Sequence, residues 1–126
     1  MSNRILTKTY VAEGATPRRR IVRFGTGKGS VTLGAAATDD LVGVTDHTAD
    51  TASGARVDVH RAGLVEVEAG AAFAKGKPLT TDGTGRAIAA APAAGANVRI
   101  IGLSEAAAGA AGDVVDVMLA PSVMQG

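Results

Sequence analysis

The chain has 126 residues, no cysteine, no tryptophan and a net charge of +1. Disulfides, thiolate metal sites and cysteine nucleophiles are therefore excluded. With Tyr10, Phe24 and Phe73 as the whole aromatic complement, valine, isoleucine, leucine and alanine must build the core of what this length predicts to be one domain, and so thin a core predicts help from neighbouring subunits.

The charge is unevenly placed. Residues 1–28 carry seven basic side chains (Arg4, Lys8, Arg18, Arg19, Arg20, Arg23, Lys28) against Glu13 alone, whereas residues 29–126 carry six basic and eleven acidic ones. We read 1–28 as a basic N-terminal arm with a first strand region, and 29–126 as a single β domain. MSNRILTKTYVAEG holds no apolar run suited to a signal peptide, and no stretch reaches the ~18 apolar residues of a membrane span, so no membrane partner is expected. Nucleic acid is not expected either, because the aromatic platforms that stack bases are missing. Docking of the arm on an acidic protein surface is the sharper expectation, and a solvated loop after Pro17 is the plain alternative.

Strands are predicted over 19–24 and 30–33. Between them, RFGTGKGSVTLG (23–34) imitates a phosphate loop. The Walker pattern fails, because Gly29 follows Gly27-Lys28 and Val22 stands where its first glycine belongs; the dinucleotide pattern fails at Ser30. Both patterns must open a helix, and SVTLG reads as a strand, so the glycines predict a tight turn.

After LVGVTD (41–46), Asp46, His47 and Asp50 share a loop, but no further ligand follows at a recognised spacing and no metal is expected. In ARVDVHRAGLVEVEAG (55–70), Val57 and Val59 point inward while Asp58 and His60 face solvent; Val65 and Val67 then alternate with Glu66 and Glu68. With Arg61-Ala62-Gly63 as the connection, 55–60 and 64–68 predict a hairpin with one wet and one buried face. KPLTTDGTGRAIA (77–89) predicts a second hairpin, turning at Asp82-Gly83. IAAAPAAGA (88–96) reads as loop. NVRIIGLSE (97–105) and DVVDVMLA (113–120) predict two strands buried more deeply than the first hairpin, and EAAAGAAG (105–112) at most one helical turn behind Ser104. No serine sits in a nucleophile elbow, so neither a catalytic residue nor a cofactor is expected.

The halves echo each other. Leu41-Val42-Gly43-Val44-Thr45-Asp46 resembles Ile100-Ile101-Gly102-Leu103-Ser104-Glu105, and Val57-Asp58-Val59 recurs as Val115-Asp116-Val117. An internal repeat over about 40–62 and 99–120 predicts an all-β fold: a small β-barrel or sandwich, tulip- or clip-like, built from two similar β modules with an extended N-terminal arm.

GLVEVEAGAAFAKGKPLTTDGTGRAIAA (63–90), followed by RIIGLSEAAAGAAGDVVDVMLAP (99–121), resembles the capsid cement, or head decoration, proteins of tailed bacteriophages. Gly70, Gly76, Leu79, Asp82, Gly85, Gly102, Gly112 and Asp113 carry the likeness, with the glycines read as turn formers. The resemblance spans about residues 40–121 and implies a non-enzymatic protein, made in the host bacterial cytoplasm. Such a protein binds the outer surface of the expanded head at capsomer junctions, with the major capsid protein and further copies of itself, commonly as a trimer, for partners. The arm lies outside the resemblance; Arg4, Lys8, Arg18, Arg19, Arg20 and Arg23 are its expected docking residues on grounds of charge. A ligand-binding β module, sugar-binding or clip-like, is the alternative, and the shortage of aromatic platforms counts against it.

Overall fold

The structure is a computed structural model and describes residues 3–126; Met1 and Ser2, the start of the expected arm, lie outside the described residues. Its elements are β1 (Asn3–Ala12), β2 (Ile21–Phe24), β3 (Ser30–Leu33), β4 (Leu41–Thr45), β5 (Arg56–Glu68), β6 (Pro78–Thr81), β7 (Ala87–Ala89), β8 (Asn97–Ser104) and β9 (Val114–Gln125). The chain is all-β, and no helix occurs among the described residues. The expected helical turn at 105–112 is instead a run of bends and turns. Ala108 bridges Phe73 there, and the Asp113 carboxylate accepts the Gly109 and Ala110 amides at 2.8 and 3.2 Å, so the amides that would close a helical turn onto Glu105 and Ala106 are already taken.

All strands belong to one sheet, in the order β1-β3-β2-β4-β5-β9-β8-β6-β7. β1 pairs with β5 as well, from Asn3↔Leu64 to Val11↔Arg56, which closes β1, β3, β2, β4 and β5 into a ring of pairings. The basic segment 3–28 is therefore woven into the sheet and does not extend away from it. Beyond β5 the other strands curl similarly, and a parallel bridge from Ala69 to Ala87 brings β7 back beside the end of β5.

The two halves match pair for pair. Val22↔Leu33, Arg23↔Thr32 and Phe24↔Val31 in the first correspond to Leu79↔Ala89, Thr80↔Ile88 and Thr81↔Ala87 in the second. Ile21↔Val44 and Val22↔Gly43 correspond to Pro78↔Leu103 and Leu79↔Gly102. The bridges Thr16↔Thr51 and Phe73↔Ala108 are likewise equivalent. At the strand ends, Thr45 Oγ1 donates to Pro17 O and accepts the Arg20 amide, while Ser104 Oγ donates to Ala74 O and accepts the Lys77 amide. Between these contacts Arg19 takes φ +58° where Gly76 takes +80°, so an arginine occupies the left-handed position that a glycine fills in the second copy.

This duplication explains why the expected hairpin at 55–60 and 64–68 is one uninterrupted strand. β5 is the last strand of the first module and the first strand of the second. Gly63 does adopt a positive φ of 101°, as a turn would require, but it pairs with Arg4 on one side and Leu119 on the other, and two paired edges leave no room to reverse the chain.

Each module keeps its own small core. Tyr10, Ala12, Val22, Val31, Val42, Val57 and Val59 pack in the first. Phe73, Leu79, Ile101, Val65, Val67 and Val117 anchor the second, joined by Ile21, Leu41 and Val44 from the first. One aromatic ring per core is the whole provision; Phe24 is 47% exposed, with the Arg61 guanidinium over its ring.

Candidate docking surface

The strands place the six expected docking residues apart, and most are engaged within the chain. Arg19 Nε reaches Glu66 at 3.3 Å, and Arg20 holds Glu68 at 3.3 Å and donates to the Thr84 carbonyl at 2.9 Å. Arg86 joins Glu68 from the opposite side at 3.5 Å. Glu66 and Glu68 are the outward residues of β5, so these arginines clasp the loop of the first module to the first strand of the second. Arg23 pairs with Asp39 at 3.5 Å and Arg4 with Asp46 at 3.2 Å. Lys8 lies over the Tyr10 ring, and Arg18 is exposed, with its backbone amide on Asp50. A cluster of like charges in sequence thus becomes a set of ion pairs in space, because β5 and the loops on either side of β4 supply the acidic partners.

The glycine-rich loop does hold an anion, and the anion is the chain's own. The Glu13 carboxylate accepts the Thr26 and Gly27 amides at 3.0 and 2.7 Å and the hydroxyls of Thr26 and Ser30. Ser30 foremost, then the two amides, lower its pKa from 4.5 to about 2. A carboxylate depressed in the folded state stabilises it above pH 4.5, and that contribution is lost as the pH falls through about 2. Glu13→Gln is therefore expected to lower the melting temperature at neutral pH, and the gap to the wild type should close as pH drops across this window; a gap that stays constant with pH would show that ionisation of Glu13 is not involved.

Among the turn glycines, Gly76, Gly85 and Gly112 have positive φ at turns, and a side chain on Gly70 would meet Asp82. Gly102 departs from the expectation: it lies inside β8, where the register with β9 shifts.

His60, expected on the wet face, is buried. Its Nδ1 lies 2.8 Å from Thr7 Oγ1 and its Nε2 2.8 Å from Asp46 Oδ1. Burial pushes the imidazole pKa down, against the Asp46 carboxylate, which raises it. Close by, an open cleft of about 520 Å³ is lined by Thr9, Asp46, Asp50, Arg56 and Asp58.

The surface that the sequence reading missed lies on β8 and β9. Their apolar runs suggested deeper burial than that of the first expected hairpin, yet Leu103, Val114, Met118 and Val123 are 47, 45, 43 and 58% exposed. Leu64, Met118 and Leu103 are cross-strand neighbours in one row over β5, β9 and β8, so their side chains share a face. The equivalent row in the first module is Thr7, His60 and Val44. A row of large apolar side chains left open on one module alone is a candidate contact surface. On β1, Ile5 and Leu6 are exposed at 77 and 54%, and β3 covers just Val11 and Ala12 on the strand's second edge. Period-two alternation would have singled out Leu103 and Met118, since each stands one position from a buried neighbour, Ser104 and Val117.

The chain matches the family model described as phage cement protein over residues 2–119. Its fold is similar to that in the crystal structure of the head fiber gp8.5 N base of bacteriophage phi29, with a TM-score of 0.68 and 21% sequence identity over 91% of this chain and 93% of that one. No curated protein matches it in sequence.

Proposed function

The chain belongs to the phage cement protein family, a structural, head-associated class of phage protein, and on that premise we propose that it binds the outside of the expanded head at capsomer junctions and stabilises the shell without catalysing a reaction. It does so as a homotrimer, synthesised in the host cytoplasm, with the major capsid protein as its partner. The uncovered apolar row of β8 and β9 carries this reading. A closed trimer needs two different patches that fit each other. One is offered by Leu103 and Met118 with exposed Glu105 beyond them, the other by Ile5 and Leu6 with Lys8 beside them on β1. Their apolar centres and opposite charges complement one another. Arg18 and the open edge of β1 are left for the capsid, by charge and by strand addition.

Cementing then acts through linkage. A protein that binds the expanded lattice and not its precursor stabilises it by about 2.7 kcal/mol per site at a hundredfold excess over Kd, and the sum over many junctions opposes the pressure of packaged DNA. A docking groove that forms on expansion supplies the selectivity.

The double variant Leu103→Glu, Met118→Glu tests the reading. Both side chains are half exposed, so the variant is expected to melt near the wild type, run as a monomer in light scattering and no longer co-sediment with expanded heads. A variant that remains trimeric and still binds heads, or a wild type that prefers unexpanded precursors, would sink it.

A further inference from the structure

We propose that Asp46, His47 and His60 form a binding site for a borderline divalent cation of the zinc class. Asp46 Oδ1, His47 Nδ1 and His60 Nε2 all lie within 4.8 Å of one another. His60 Nε2 is 2.8 Å and His47 Nδ1 3.2 Å from the carboxylate oxygen. Ligands bound to Zn²⁺ at its usual tetrahedral distances stand about 3.3 Å apart, so a small opening of the cluster admits the ion. Two imidazole nitrogens and one carboxylate oxygen select Zn²⁺, Co²⁺ or Ni²⁺ over the oxygen-seeking Ca²⁺ and Mg²⁺.

The surroundings of these atoms are built as metal ligands require. The His60 side chain is 5% exposed, and its other ring nitrogen is fixed by Thr7 Oγ1. A threonine hydroxyl both donates and accepts, so the ring passes from an Nε2–H to an Nδ1–H tautomer without moving, and Nε2 becomes free for the ion. Thr48 Oγ1 donates to Asp46 Oδ2 at 2.6 Å, which turns Oδ1 toward the two histidines. His47, 38% exposed, leaves the fourth position open to water.

The second module supplies an independent argument. Where the first has Thr7, His60 and the loop pair Asp46-His47, the second has Leu64, Met118 and Glu105-Ala106. The same backbone thus folds with partly exposed Leu64 and Met118 and no histidine at these positions, and the fold does not demand the buried polar cluster, which costs desolvation. Arg4 stands at Asp46 Oδ1, 3.2 Å away and 41% exposed, and supplies the positive charge that the ion would replace.

The experiment uses the full chain, free of any affinity tag and stripped with a chelator, titrated by calorimetry with Zn²⁺ and by visible absorption with Co²⁺. One equivalent per chain is expected, with a Co²⁺ ligand-field spectrum of low coordination number. His47→Ala, at a half-exposed loop position, should leave the melting temperature of the chelated protein unchanged and weaken Zn²⁺ binding at least ~10-fold. Arg4→Gln should tighten it by removing the competing cation. Absence of stoichiometric binding, or equal affinity in wild type and His47→Ala, would overturn the proposal. His60→Gln adds a third reading where it folds, and the two surface variants decide the matter where it does not.

Discussion

Gly102→Ala and Gly43→Ala are each expected to lower the melting temperature by about 10 °C, followed by circular dichroism. The two glycines are equivalent, one per module, and each backs onto the neighbouring strand. A methyl group on Gly43 would overlap the His60 carbonyl oxygen, and one on Gly102 the Met118 carbonyl oxygen. The obstacle is backbone held by cross-strand pairs, Val44↔His60 in the first module and Leu103↔Met118 in the second, so no side chain can swing aside. Relief requires the paired strands to separate, at the cost of ladder hydrogen bonds and core contacts at Val59 and Val117. Overpacking of this kind costs about 3 kcal/mol, out of a total stability of roughly 5–15 kcal/mol. Gly83→Ala is the control: nothing lies near its added carbon, and it should melt within about 1 °C of the wild type. Wild-type melting of either test variant would show that strand separation at these points is cheap, and that the two modules are less tightly closed than the pairings imply.

These same glycines explain what could be read from the sequence. The echo of Gly43 in Gly102, and of Val57-Asp58-Val59 in Val115-Asp116-Val117, was visible because a close backbone approach and an inward-facing strand tolerate few residues. The rest of the duplication was hidden. Thr16 and Phe73 make equivalent bridges, and Arg19 and Gly76 make equivalent left-handed turns, because backbone hydrogen bonds fix those positions whatever the side chain. The hairpin at Asp82-Gly83 was legible from local turn chemistry, with its strands at 78–81 and 87–89. Gly63 misled by the same logic, since a positive φ is shared by turns and by a strand passing a module junction. Alternation assigns a residue to a face but not to a partner. It could not show that Thr7 and Asp46 close over His60, or that Glu66 and Glu68 take up Arg19 and Arg20. It also could not show that nothing among the described residues covers the Leu103–Met118 row, because that depends on how far the sheet curls.

Removal of residues 1–12 should unfold the first module, and with it head binding. A freely projecting arm would give a different result: a folded body that has lost its docking element. The pairings favour unfolding. β1 contributes Tyr10 and Ala12, 3 and 1% exposed, to the first core, and it covers the edge of β5 from Arg56 to Leu64. Thr9 and Thr7 also anchor Asp58 and His60 at 2.7 and 2.8 Å. Loss of a buried aromatic side chain alone costs about 3–5 kcal/mol, and here a ladder and a ring closure go with it. The exposed β5 edge would then invite aggregation, so the truncated chain should show reduced β-sheet signal, no cooperative melt and light scattering from large particles. The charge reversal Arg18→Glu separates folding from docking. Its side chain is exposed and forms no ion pair among the described residues, so this variant should melt as the wild type does while losing affinity for expanded heads. Cooperative melting of the truncated chain would return β1 to the status of a detachable arm. Full head binding by the charge-reversed variant would instead move the capsid contact away from the basic face and onto the open β1 edge alone.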